Sequence, residues 1–243
     1  MKYILTLLML ICVLSVFAQK KINGKITYKV INNVDIKTDT IKEKSIKYLL
    51  NKMLSDDNTD NLILSLIFNN EASYFYMNEK LESKDAFKIN PIKIEIENRG
   101  DIFTNIKQKV SYSKNIDLQN TLIKDSLYFN WELTKEKKNI QGFTCYKAIG
   151  ERKIYKRKLD KYVTNKVIAW YSPKINISTG PLGYGNLPGL ILELTETDLF
   201  TIVCAKIAFD KKINLDKYFK SNNEVINRDD YNRMKRKIYL DRN

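Results

Sequence analysis

Between Ser178 and Leu194 the chain reads S-T-G-P-L-G-Y-G-N-L-P-G-L-I-L-E-L, and this stretch restricts the fold more than any other. Gly180, Gly183, Gly185 and Gly189 are four of only eight glycines, and Pro181 and Pro188 are two of only four prolines. Glycine opens backbone angles closed to other residues, while proline fixes φ and removes a donor, so the stretch encodes a loop of definite shape. In Leu187-Pro188-Gly189-Leu190 the proline stands second and the glycine third, the order a type II turn requires. Such a turn would feed Leu190-Ile191-Leu192-Glu193-Leu194, a short apolar run that reads as a buried strand.

The N-terminus carries Lys2, an apolar run from Tyr3 to Phe17, and Val16-Phe17-Ala18. That is the pattern of a signal peptide cleaved after Ala18, giving residues 1–18 as leader and residues 19–243 as a single domain. The run falls short of the roughly 20 apolar residues that span a bilayer. Cys12 follows Leu10 and Ile11, where a lipoprotein signal needs small residues. The expected mature chain is therefore exported, periplasmic or outer-membrane-associated, with no transmembrane span after cleavage. The net charge of +14 then points away from nucleic acid and towards anionic lipids or glycans. A lysine-rich coding bias would give the same excess with no partner.

The chain has no histidine. That excludes Ser-His-Asp and Cys-His nucleophile systems and any histidine-ligated zinc. Neither a metal nor a cofactor is expected. Cys145 and Cys204 lie in different strand-like runs, and geometry, not count, decides whether they form a disulfide.

From the N-terminus onwards the text is mostly β. Ile26, Tyr28 and Val30 alternate with Lys25, Thr27 and Lys29 as a first strand. Thr40-Ile41-Lys42-Glu43 offers a capping box for one early amphipathic helix over about 41–54. Asp56 to Asp60 starts like a calcium loop but lacks its glycine and terminal glutamate, so it reads as a solvated turn. Residues 62–68 and 72–77 form a hairpin around Asn69-Asn70-Glu71. Ile92, Ile94 and Ile96 at period two read as a strand opened by Pro91, and Arg99-Gly100-Asp101 turns into another. Residues 126–133 and 140–149 flank Lys135 to Asn139, which reads as a hairpin turn. The basic segment 151–166 reads as a solvated hairpin tip, or as a surface for anionic partners. Asn227 caps a short C-terminal helix. The expected class is mainly β (α+β): one curved antiparallel sheet of about ten strands, an open barrel or bowl, with the two helices.

N-L-P-G-L-I at residues 186–191, I-Q-G-F-T-C-Y-K-A at 140–148, W-E-L at 131–133 and A-W-Y at 169–171 leading to Gly180-Pro181 stand in the order of a known family. The chain resembles the GLPGLI proteins exported by Bacteroidota, with Asn186 where the family name has glycine. In that resemblance Gly180, Pro181, Leu187, Pro188, Gly189, Leu190 and Ile191 form the structural signature. It implies no established activity.

The leading functional expectation is a non-catalytic binding or carrier module for an apolar or amphiphilic ligand, a lipid for example, with Trp170, Tyr171 and Tyr184 at the cavity mouth. Packing of Trp170 beside Leu187 and Leu190 is the competing reading. A protein docking on an outer-membrane assembly is the alternative. Enzymatic activity ranks third, with Glu193 as the one acid to test and no catalytic residue assigned.

Overall fold

The computed structural model describes residues 22–33, 44, 62–78, 90–114, 120–127, 129–197, 200–209, 213–215, 218 and 223–241. The expected signal peptide, the early helix over 41–54 and the turn at 56–60 lie outside the described residues, apart from Lys44.

Among the described residues, twelve strands form one open, mixed sheet. They are β1 (Gly24–Asn32), β2 (Ile63–Phe68), β3 (Ala72–Met77), β4 (Asp101–Asn105), β5 (Val110–Lys114), β6 (Thr121–Ser126), β7 (Trp131–Ile140), β8 (Phe143–Lys156), β9 (Lys161–Ser172), β10 (Leu190–Thr197), β11 (Phe200–Phe209) and β12 (Glu224–Asn227). Helix α1 (Pro91–Arg99) precedes β4, and α2 (Arg228–Leu240) follows β12. The order across the sheet is β12-β6-β5-β4-β3-β2-β1-β11-β10-β9-β8-β7. Two antiparallel meanders therefore run outwards from a central seam, where β1 pairs with β11 on one side and β2 on the other. Only β12 on β6 is parallel.

The register lines up one apolar face across the sheet. Tyr28 opposes Cys204 and Leu64, and Leu66 opposes Phe75, which opposes Ile102. All six are buried. Farther out, Ser73, Thr104 and Ser111 stand opposite one another on the same face, small and buried. They leave room for the segment after β9 to come close. A Cβ placed on Gly183 would meet Ile102 at 3.1 Å, and Thr179 Oγ1 lies 2.6 Å from Ser73 Oγ. Ile175, Ile177, Leu182, Tyr184 and Leu187 are buried there. The glycine-rich loop thus lies on the sheet's apolar face as its cover.

Gly189 fixes one end of this cover, by a turn other than the type II expected. The Gly189 N–H donates to the Leu187 carbonyl at 2.8 Å, a three-residue turn centred on Pro188, and the Leu190 N–H donates to Ile175 at 3.0 Å. Gly189 has φ 156°, and a Cβ there would lie 2.3 Å from the Ser172 carbonyl oxygen. Close approach to β9, more than turn type, demands the glycine. Asn186 has φ 61°; asparagine tolerates the left-handed region better than most non-glycine residues, so it can stand where the resembled family has glycine.

Two further local expectations are overturned. Residues 91–99 are helix α1 and not a strand. The Asn90 side chain accepts from the N–H groups of Ile92 and Lys93, both at 3.0 Å, and Pro91 sits in the first turn, where its missing donor costs nothing. Ile92 and Ile96, four apart, are buried while Ile94 is exposed, so the period-two isoleucines concealed a helical face. Nor do Lys135 to Asn139 make a turn. β7 runs through them as an edge strand with an irregularity between Leu133 and Lys137. The reversal is Gln141-Gly142, φ 50° and 80°, the doubly positive geometry of a tight hairpin. The basic segment 151–166 does form a hairpin end, closed by the turn at Arg157–Leu159, and Asn227 caps α2 through the Asp230 N–H.

Gly189→Ala is expected to destabilise the protein by about 3 kcal/mol, whereas Asn186→Gly should change stability by less than about 1 kcal/mol. Urea denaturation of the two variants measures the contrast; equal stability would contradict the close approach at Ser172.

Candidate functional site

Near its end β10 carries an acid that the sheet buries. Glu196 follows Leu192 and Leu194 at two-residue spacing, and it is the extra residue of a bulge, since Thr195 opposes Thr201 and Thr197 opposes Phe200. Bulges re-aim side chains, and here the carboxylate lies fully buried. Arg99, the last residue of α1, grips it with both terminal nitrogens, one at 2.8 Å from Oε1. Arg152 of β8 donates to the same Oε1 at 2.6 Å. Arg99 also binds Glu95 one helical turn back, at 2.9 Å. Burial alone would raise the Glu196 pKa, but the two guanidinium groups outweigh it and hold the carboxyl at about 2. Burial opposes the charge on Arg99 as well, and Glu196 more than offsets that. This carboxylate is locked in its ionised state and clamps α1 to the two sides of β9.

Beside the clamp opens a cleft of about 920 Å³. Phe129, Trp131 and Tyr184 line it as one cluster, with Phe129 and Tyr184 ring centres 4.7 Å apart. Tyr155 and Tyr162, 5.3 Å apart on the β8–β9 hairpin, form a second. Arg152, Lys153, Asp125 and Arg228 line the same cleft. Asp125 is neutralised by Arg228, whose Nε donates to it at 2.7 Å. Helix α2 holds the hairpin wall, because Tyr162 donates to Asp229 and Arg236 pairs with Asp160 at 3.1 Å. The Trp131 indole N–H donates to the Gly185 carbonyl at 2.9 Å and ties β7 to the covering loop.

The structure does not bring the three sequence-chosen aromatics together. Tyr184 lines the cleft, with its ring on the apolar face. Tyr171 is buried on that face near Tyr146. Trp170, the residue before it on β9, points to the opposite face, where Lys138 stands 4.3 Å above its ring. Lys138 also binds Glu193 at 2.6 Å, so Glu193 is a structural ion pair. Cys145 and Cys204 are both buried free thiols. Burial pushes them up to about 11 and about 12, which leaves little thiolate at neutral pH. Sequence reasoning missed Glu196, Arg152 and Arg99. The usable signal for Glu196 was phase, an acid in step with two buried leucines; Arg152 and Arg99 come from distant segments that only the fold unites.

Residues 131–193 match the Porph_ging family. Its description is a protein of unknown function. The Porph_ging span contains Trp131, Arg152, Tyr184 and Gly189 and stops short of Glu196. No curated protein matches the chain. Among solved structures it is similar to PNGF-II in a C2 crystal form, at 14% identity and TM-score 0.53 over 88% of this chain and 32% of that one. The P21 form gives 15% identity and TM-score 0.51 over 88% of this chain and 33% of that one. The chain thus spans about a third of those structures, and the likeness is one of fold. Among the described residues, no helix is long and apolar enough to cross a membrane, and no cluster of acidic or cysteine side chains could hold a metal ion.

Two outcomes are expected. Because the folded Glu196 pKa lies below its ordinary 4.5, its contribution of about 3 kcal/mol is present above that pH and is lost as pH falls towards about 2. Glu196→Gln should be less stable at pH 7 by a similar amount, since two guanidinium groups lose their counter-charge. Its stability should also fall less steeply in acid; a wild-type slope in urea titrations from pH 7 to pH 2 would contradict the clamp. Cys145 and Cys204 should react with a maleimide only after unfolding, and failure to react even then would reveal a disulfide.

Proposed function

We propose that this chain is a non-catalytic binding module of the cell envelope that holds an amphiphilic ligand in the cleft beside Tyr184. The observation that carries the reading is the composition of that cleft: two aromatic clusters, Phe129-Trp131-Tyr184 and Tyr155-Tyr162, stand beside Arg152, Lys153 and Arg228 in one open recess. Aromatic faces suit the apolar body of a ligand, and the charged groups suit its polar end. A purely apolar cargo fits less well, because the sheet's apolar face is already taken up by the covering loop. In this reading the sheet curls around that loop, and the cleft is the part left open. The resemblance to exported GLPGLI proteins supports an envelope location for residues 19–243.

Binding fits the titratable groups better than catalysis does. Glu196 stays ionised well below neutral pH, and Asp125 and Glu193 are held in ion pairs. A general acid or base works best with a pKa near the working pH. Strain points to the same place: Leu182, which lines the cleft, is held at φ 55° and ψ 25°. Left-handed backbone at such a residue costs about 1–2 kcal/mol, and strain of this kind gathers at ligand sites.

Replacing Trp170 by Phe leaves Trp131 as the reporter, since the chain has two tryptophans. Titration with dodecyl maltoside below its micelle-forming concentration should give a saturable change in Trp131 emission. A flat or strictly linear response would contradict a ligand cleft at this position.

A further inference from the structure

Tyr184 is buried and lines the cleft, and its hydroxyl proton meets no acceptor in the protein, since the Arg152 side chain beside the oxygen can only donate. A buried hydroxyl left without a partner costs about 1–3 kcal/mol, and native folds rarely keep one without a use. The surroundings indicate what would satisfy it. The Arg152 guanidinium lies 5.9 Å from the centre of the Tyr184 ring. It gives one terminal nitrogen to Glu196 and has no second acid among the described residues. Its side chain is 28% exposed, whereas the Glu196 carboxylate behind it is wholly covered. Burial, reinforced by Glu196, outweighs the opposing pull of Arg152 and Arg99 and keeps the Tyr184 proton in place, so the hydroxyl is a standing donor.

The other charges around the cleft do not cancel this preference. Lys153 is exposed on the same strand with no ion pair among the described residues, Asp125 is neutralised by Arg228, and Glu132 and Glu151 are exposed to solvent. Arg99 already shares its charge between Glu196 and Glu95. The cationic group offered to a ligand at the Tyr184 end is therefore Arg152, and a guanidinium is suited to carboxylate and phosphate oxygens.

We infer that the Tyr184 hydroxyl and Arg152 form a head-group subsite for a carboxylate or phosphate, and that the cleft's ligand is an anionic amphiphile. The inference rests on the cleft being a ligand site. The aromatic clusters then hold the apolar part, and the ligand's head group supplies the acceptor that the hydroxyl does not find within the protein. Such a site gives up stability in the free protein in return for selectivity in the complex.

The test compares wild type with Tyr184→Phe in the Trp170→Phe background, using dodecanoate, dodecyl phosphate and dodecyl maltoside, all below their micelle-forming concentrations. Wild type should bind the two anionic probes about tenfold more tightly than the neutral one, and the tighter of the two identifies the source of the head group. Tyr184→Phe should lose that preference by weakening the two anionic probes about tenfold more than dodecyl maltoside, and melt no lower than the parent because a hydroxyl proton without an acceptor has gone. Unchanged anionic affinity in the variant, or no anionic preference in wild type, overturns the subsite and leaves the cleft reading standing. Absence of binding by all three probes overturns both.

Discussion

An open sheet of twelve strands carries an apolar face too wide to leave in water, and everything else in this fold follows from how that face is covered. Helices are the usual solution. Here a loop does much of the work, with α1 adding Ile92 and Ile96. A loop placed indoors must find partners for its backbone groups. Ile177 and Thr179 donate to Ile175 and Ile177, Ile191 donates to Thr179, Leu190 donates to Ile175, and the Tyr28 hydroxyl donates to the Ile191 carbonyl at 2.7 Å. Glycines let the loop approach the sheet closely, and the prolines remove donors that would otherwise need partners.

The polar clamp is a second consequence. Once the loop occupies the face, the neighbouring ground must hold α1, β8 and β10 together, and Glu196 does this with one carboxylate shared by two arginines. A buried ion group of this kind is a poor source of net stability but a strong specifier of arrangement, since any other docking of α1 would strand a charge. The cleft lies where loop, clamp and the β8–β9 hairpin meet. Its aromatic walls and the Tyr184 hydroxyl are thus positioned by the same contacts that close the fold.

Much of this was legible in the residues. The alternation of Ile26, Tyr28 and Val30 and the Asn69 turn gave real strands, because a half-buried sheet imposes period two. The loop's importance was readable from where glycine and proline were spent. What failed had physical causes. Ile92, Ile94 and Ile96 fit both a strand and one helical face, and only the Asn90 cap and the demands of Glu196 decide between them. The turn at Gln141-Gly142 was hidden by a lysine-rich run that looks like a loop and is an edge strand, where lysine discourages further pairing. Trp170 and Tyr171 are neighbours in sequence and therefore face opposite sides of the sheet, so they could not share one cavity mouth. Arg99, Arg152 and Glu196 carry no local signal of their meeting.

The central claim is that the 173–189 loop is part of the core and not a flap over it. Native-state hydrogen exchange tests this directly, because the amides of Thr179, Tyr184, Leu190 and Ile191 all have defined acceptors within the loop and its flanks. Exchange of these amides at the same opening free energy as the central strand β1 is the predicted result. Exchange through a much smaller, local opening would show a loop that lifts off an independently stable sheet, and would contradict the account.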